Sequence, residues 1–165
     1  MTFGEKAVRA IAGLAFLVVT FGSAERAAAQ PRLLLEVRPE IVTRGTRCEA
    51  VVTGARPSAS LRLFASVTTG AATVGPWATE CGDVRFSLLL GGNVRHIAVA
   101  DGIADGNGSA RLQFRIPPRL PDRYNGIKVY FQVGAALAVP DGTGGCTIRT
   151  LTSNVDCSTV DFGLN

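Results

Sequence analysis

The stretch Ser109-Ala-Arg-Leu-Gln-Phe-Arg-Ile116 decides the fold of this chain. Ala110, Leu112, Phe114 and Ile116 occupy every second position, with Arg111, Gln113 and Arg115 between them. A period of two sends the first set to one face of an extended strand and the second set to the other. Residues 126–133 repeat the design, placing Ile127, Val129, Phe131 and Val133 inward and Lys128, Tyr130 and Gln132 outward.

Working outward from these two segments, shorter apolar alternations predict strands over residues 32–38, 47–53, 61–67, 83–90, 94–100, 146–151 and 157–162. Apolar residues almost never recur at the helical period after Gln30, so the crossover helices that a parallel sheet requires are missing. The expectation is an all-β chain folded as an antiparallel β-sandwich of about seven to nine strands. Gly91-Gly92-Asn93 predicts a hairpin turn, and Pro117-Pro118 ends the strand before it because proline cannot donate to a ladder. The long connections, residues 68–82 and 134–145, are expected to be loops, tethered through Cys81 and Cys146.

Cys48, Cys81, Cys146 and Cys157 form an even set, which in an exported chain implies a disulfide framework. Of the pairings open to them, nearest-neighbour closure is expected, Cys48 with Cys81 and Cys146 with Cys157, the second pair lying within one terminal hairpin. Zinc is disfavoured, because no Cys-x-x-Cys pair is present and the lone histidine, His96, sits within a strand.

The export expectation comes from the N-terminus. Lys6 and Arg9 precede an apolar run over residues 10–21, and Ala27-Ala28-Ala29 follows as a small-residue cleavage site. The run is shorter than the roughly twenty residues needed to span a bilayer. Residues 1–29 are therefore expected to be a cleaved signal peptide, leaving residues 30–165 as a single secreted or extracytoplasmic domain with no membrane span. Removing Lys6, Arg9 and Arg26 together with Glu5 and Glu25 takes the formal net charge from +4 to +3. The excess is mild, and the arginines alternate with apolar and acidic residues. They predict a solvated face rather than a nucleic-acid surface.

From Gly91 onward, Ala100-Asp101-Gly102 and Asp105-Gly106-Asn107-Gly108 precede an alternating strand; Ile116-Pro117, Val129-Tyr130-Phe131-Gln132 and Thr152-Ser153-Asn154 follow. In this region, residues 91–165, the chain resembles the immunoglobulin-like and fibronectin type III-like sandwich modules of bacterial exported proteins. The resemblance implies the fold, and roles as spacer, adhesion unit or accessory binding domain.

Chemistry-bearing motifs are sparse. His96 has no nucleophile motif beside it and is expected to be structural. Asp101, Asp105 and Asn107 offer oxygen ligands to a hard cation such as Ca²⁺, but the loop departs from the helical calcium-loop pattern, and a plain turn explains the same residues. Asn107-Gly108-Ser109 fits the glycosylation sequon. No cofactor loop is present. Trp77, Tyr124 and Tyr130 are the aromatic candidates for ligand contact. The function expected is a non-catalytic binding or cell-surface interaction domain, facing an extracellular protein or glycan. The alternatives are a small exported hydrolase with a carboxylate pair, or an accessory carbohydrate-binding module that would expose Trp77.

Overall fold

The computed structural model describes residues 32–91 and 97–163. The signal peptide expected over residues 1–29, His96 and the end of the turn at Gly92-Asn93 lie outside the described residues. Eleven strands run in order among the described residues: β1 Leu34–Arg38, β2 Ile41–Val42, β3 Arg47–Thr53, β4 Ser60–Ser66, β5 Thr69–Thr79, β6 Gly82–Leu90, β7 Ile97–Ile103, β8 Ala110–Arg115, β9 Lys128–Pro140, β10 Cys146–Thr152 and β11 Asp156–Val160. Among the described residues the only helical element is one 3-10 turn, Asp122–Tyr124, and no helix is long and apolar enough to cross a membrane.

The protein is a β-sandwich, antiparallel except for the short parallel pair of β2 with β11, with a third layer added. One sheet has the order β1-β3-β8 and the other β2-β11-β9-β4-β7, with β10 also pairing β9. Alternation builds the interface between them. Cys48, Ala50 and Val52 of β3 turn inward, and Leu35, Val37, Ala50, Val52 and Leu112 meet Leu61, Leu63, Phe131, Val133 and Ala135 in one buried cluster. Burying a Leu or Phe side chain in such a cluster stabilises by about 1.5–3 kcal/mol.

The two sequence readings around β9 differ in outcome. Phe131 and Val133 face the sandwich interior as expected. The opposite face is not solvated, and residues 131–136 are all buried. The cover is the β5–β6 hairpin, a separate two-stranded sheet. Its Val74, Val84, Phe86, Leu88 and Leu90 pack on Phe64 and Ala136, with Tyr130 and Trp77 half-buried at the margin. Gly134 makes this close approach possible, since a Cβ there would sit 2.8 Å from the Phe86 ring. Gln132, fully buried in the same layer, has both ends of its amide satisfied. Its Oε1 accepts from the Leu89 N–H at 2.7 Å and its Nε2 donates to the Ser153 carbonyl at 2.8 Å. A buried amide is tolerated only when paired in this way.

Residues 69–79, expected to be a loop, are therefore a strand. Gly70, Ala71, Ala72, Gly75 and Pro76 give it little strand propensity, and ladder pairing with the strongly alternating β6 overrides that deficit. The register shifts between Val74 and Trp77, around Gly75-Pro76, so the proline falls at an irregularity where no ladder donor is required. Similarly, β9 continues to Pro140, well into the connection expected over residues 134–145, and only residues 141–145 remain as its hairpin turn.

The cysteine pairing is also corrected. The disulfide joins Cys81 to Cys146, with Cys48 and Cys157 free. Cys81 lies in the turn of the β5–β6 hairpin and Cys146 opens β10 just after the β9–β10 turn, so the bridge ties two hairpin tips. Cys48 packs on the inner side against Val42, Ile116 and Val160, whereas Cys157 pairs in register with Tyr130.

Candidate functional site

A predominantly apolar groove of about 360 Å³ lies at one end of the sandwich. It lies between β7, the last strand of one sheet, and β8, the last strand of the other. At one end these strands are joined by the turn over residues 104–109, which is closed by the Asp105 N–H to Ser109 carbonyl bond at 2.8 Å. The groove occupies the other end.

A β-bulge shapes its wall. Leu63 pairs with Ala100 but Phe64 pairs with Ala98, leaving Val99 as an extra residue on β7. The insertion reverses the alternation beyond it, so that Ile97 lies opposite the inward-facing Ala65 and lines the groove with Val99. Phe114 and Ile116 form the facing wall, and Phe114 stacks on Phe131 with ring centroids 5.2 Å apart. Val67 and Ile97 stand on the rim, with Ile97 61% exposed. Arg115 is the one charged side chain among the described lining residues.

Tyr124 lines this groove, half-buried, with the Arg123 guanidinium 5.2 Å from its ring centre. The other two aromatic candidates are elsewhere, in the third layer. Trp77 sits 5.5 Å from Phe86, and the Arg62 guanidinium lies over its ring at 4.4 Å. Tyr130 packs in the same cluster. The structure thus brings Trp77 and Tyr130 into one packed layer and leaves Tyr124 apart, so the three form no common strip.

The residues considered for Ca²⁺ are engaged separately. Asp101 forms a two-point ion pair with Arg62, at 2.6 and 3.1 Å. The Asp105 carboxylate accepts from the N–H groups of Asn107 and Ser109 at 2.8 and 2.9 Å, closing its own turn. Asn107 is exposed on that turn. The carboxylates are spread similarly: Glu36 pairs with Arg38, Glu49 with Arg111 and Asp122 with Arg44.

Sequence reasoning missed the groove itself. The exposed apolar residues Val67 and Ile97 lie at strand ends, and only the bulge at Val99 aims Ile97 inward. Neither signal is readable without the register.

No protein-family model matches the chain, and no curated protein matches it. Among solved structures, similarity extends to the sporulation control protein Spo0M from Bacillus subtilis, at 11% identity and a TM-score of 0.35. The alignment covers 79% of this chain and 49% of that one, so the chain spans about half the length of Spo0M.

Proposed function

We propose that this chain is an exported, non-catalytic binding domain of immunoglobulin-like topology that holds an extended apolar segment of a partner protein in the groove between β7 and β8. The observation that carries this reading is the groove's setting. It lies between two terminal strands, each with a ladder edge unpaired among the described residues, and its walls are aliphatic and aromatic. A strand edge supplies backbone hydrogen bonds and an adjoining groove selects side chains, the two elements of recognition by strand addition.

The topology supports the immunoglobulin-like assignment. The N-terminal strands are divided between the two sheets, β1 joining β3 and β2 joining β11, and the sheet orders β1-β3-β8 and β2-β11-β9-β4-β7 follow a Greek-key path. Export is supported by the basic, apolar and small-residue sequence of residues 1–29, and by a disulfide that needs an oxidising compartment. The non-catalytic reading is supported by a groove whose described lining holds no acid, and by carboxylates that face arginines rather than one another. A carbohydrate platform on Trp77 has weaker support, because Arg62 already covers that ring.

The test is binding of seven-residue extended peptides from an array, followed by Ile97→Lys. Apolar, β-branched peptides should bind wild type, and the variant should weaken them about ten-fold or more while keeping its β-sheet circular dichroism. Equal binding by Ile97→Lys would overturn the assignment of the groove. Hydrolysis of glycan, ester or peptide substrates by the purified protein would overturn the non-catalytic reading, and concentration-dependent dimer mass lost in Ile97→Lys would replace the partner with a second copy.

A further inference from the structure

The outward face of the β1-β3-β8 sheet carries an electrostatic arrangement that folding does not require. Arg47 of β3 and Arg115 of β8 are directly opposite one another in the antiparallel register, both exposed. Like charges at such positions oppose strand pairing, yet no carboxylate relieves them among the described residues. The acids of this face are engaged elsewhere, Glu49 with Arg111 at 2.9 Å and Glu36 with Arg38 at 2.6 Å.

Arg115 is held in place. Its Nε donates to the Gly45 carbonyl at 2.9 Å, which anchors the guanidinium. Arg38, Arg47, Glu49, Gln113 and Arg115 line a shallow depression here, three positive groups against one negative.

We propose that this depression is an oxyanion site, built on Arg47 and Arg115, that takes the carboxylate or sulfate groups of an acidic polysaccharide. Guanidinium forks match planar or tetrahedral oxyanions by paired hydrogen bonds, and an oxyanion placed between two of them offsets their repulsion. Gln113, exposed between Arg111 and Arg115, supplies an amide that suits sugar hydroxyls. Phe114, the aromatic residue of the lining, is engaged in the interior stack with Phe131, so no free ring is offered to nucleic-acid bases, and Pro39 is the one exposed apolar side chain of the lining, too little for a bilayer. The site stands on different observations from the groove, sharing Arg115 but not Ile97.

The experiment measures binding of the exported protein to heparin and to polygalacturonate. Uncharged dextran, phosphatidylglycerol vesicles and duplex DNA serve as comparison ligands. Arg47→Thr and Arg115→Gln should each weaken the acidic polysaccharides about ten-fold, the scale of a lost charge-assisted contact. The double variant should abolish retention, and Arg149→Gln, on β10, should bind as wild type. Because Arg47 is not needed for folding, Arg47→Thr should melt no lower than wild type. Undiminished polysaccharide binding in both single variants would overturn the proposal, as would stronger binding to vesicles or DNA than to the polysaccharides. A lowered melting temperature in Arg47→Thr with binding retained would assign the pair a structural role instead.

Discussion

The side-chain amide of Asn154 takes both backbone groups of Leu35, 119 residues earlier in the chain. Asn154 Oδ1 accepts from the Leu35 N–H at 2.8 Å and Nδ2 donates to the Leu35 carbonyl at 3.0 Å. The amide acts as a one-residue substitute for a neighbouring strand along the outer edge of β1, and Asp156 continues the cover by accepting from the Val37 N–H at 2.6 Å. Edge strands left open are templates for unwanted pairing, and here side chains of the β10–β11 segment close one.

Asn154→Ala should remove both bonds and leave part-buried backbone groups unpaired. The expected loss is about 1–3 kcal/mol, read from the urea midpoint. Hydrogen exchange at the Leu35 amide should accelerate in the variant before exchange at the Val133 amide does; unchanged protection at Leu35 would refute this role for Asn154.

Gly134→Ala should destabilise by overpacking. The added methyl would meet the Phe86 ring at 2.8 Å, and a full core has no room to yield without strain, at about 1–3 kcal/mol. Phe86→Leu in the same chain should recover part of the loss, so thermal melts of the two single variants and the double variant measure the contact directly. Strictly additive losses would show that the methyl and the ring do not meet.

Peptide mapping without reduction should recover Cys81 linked to Cys146, with alkylating label on Cys48 and Cys157 once the chain is denatured. A bridge across a sequence separation of 65 residues restricts the unfolded chain by about 4 kcal/mol in the chain-entropy model. Cys81→Ser combined with Cys146→Ser should therefore lower the melting temperature markedly, and reductant should do the same to wild type but not to that variant.

Cys48 gives a pH dependence of defined sign. Burial pushes its thiol above the ordinary value, so the unfolded chain releases this proton at a lower pH than the folded protein does. The stability it contributes is complete below the unfolded value of about 8.5 and declines as pH rises through the folded value. Melting temperature should fall more steeply from about pH 8 upward in wild type than in Cys48→Ala. Parallel slopes would remove Cys48 as the cause.

How far the fold could be read from sequence depended on where each strand finds its cover. In β3 and β8 one face meets the opposite sheet and the other meets water, so Ala50, Val52 and Leu112 alternate legibly with Glu49, Val51 and Arg111. In β9 the same inference held for Phe131 and Val133 but failed for Gln132, because its covering hairpin arrives from some forty residues earlier in the chain. The small residues of β5 concealed it as a strand, since its extended state is imposed by β6. The cysteine pairing and the groove were unreadable for a related reason. Both arise where distant elements converge, two hairpin tips in one case and two sheet edges with a bulge in the other.

The β5–β6 hairpin shares no ladder with either sheet of the sandwich. It is held by its apolar face, by the Leu89–Gln132 bond and by one covalent pin at its tip. Such an element can lift as a unit while the remainder stays folded, at a free energy below that of global unfolding. Lifting would uncover Phe64, Tyr130 and Ala136 on a flat sheet face, the kind of surface on which copies of a chain self-associate. The Cys81–Cys146 bridge limits that excursion, since even a detached hairpin stays tethered over the face it protects. Oxidation then guards against aggregation, beyond its contribution to equilibrium stability.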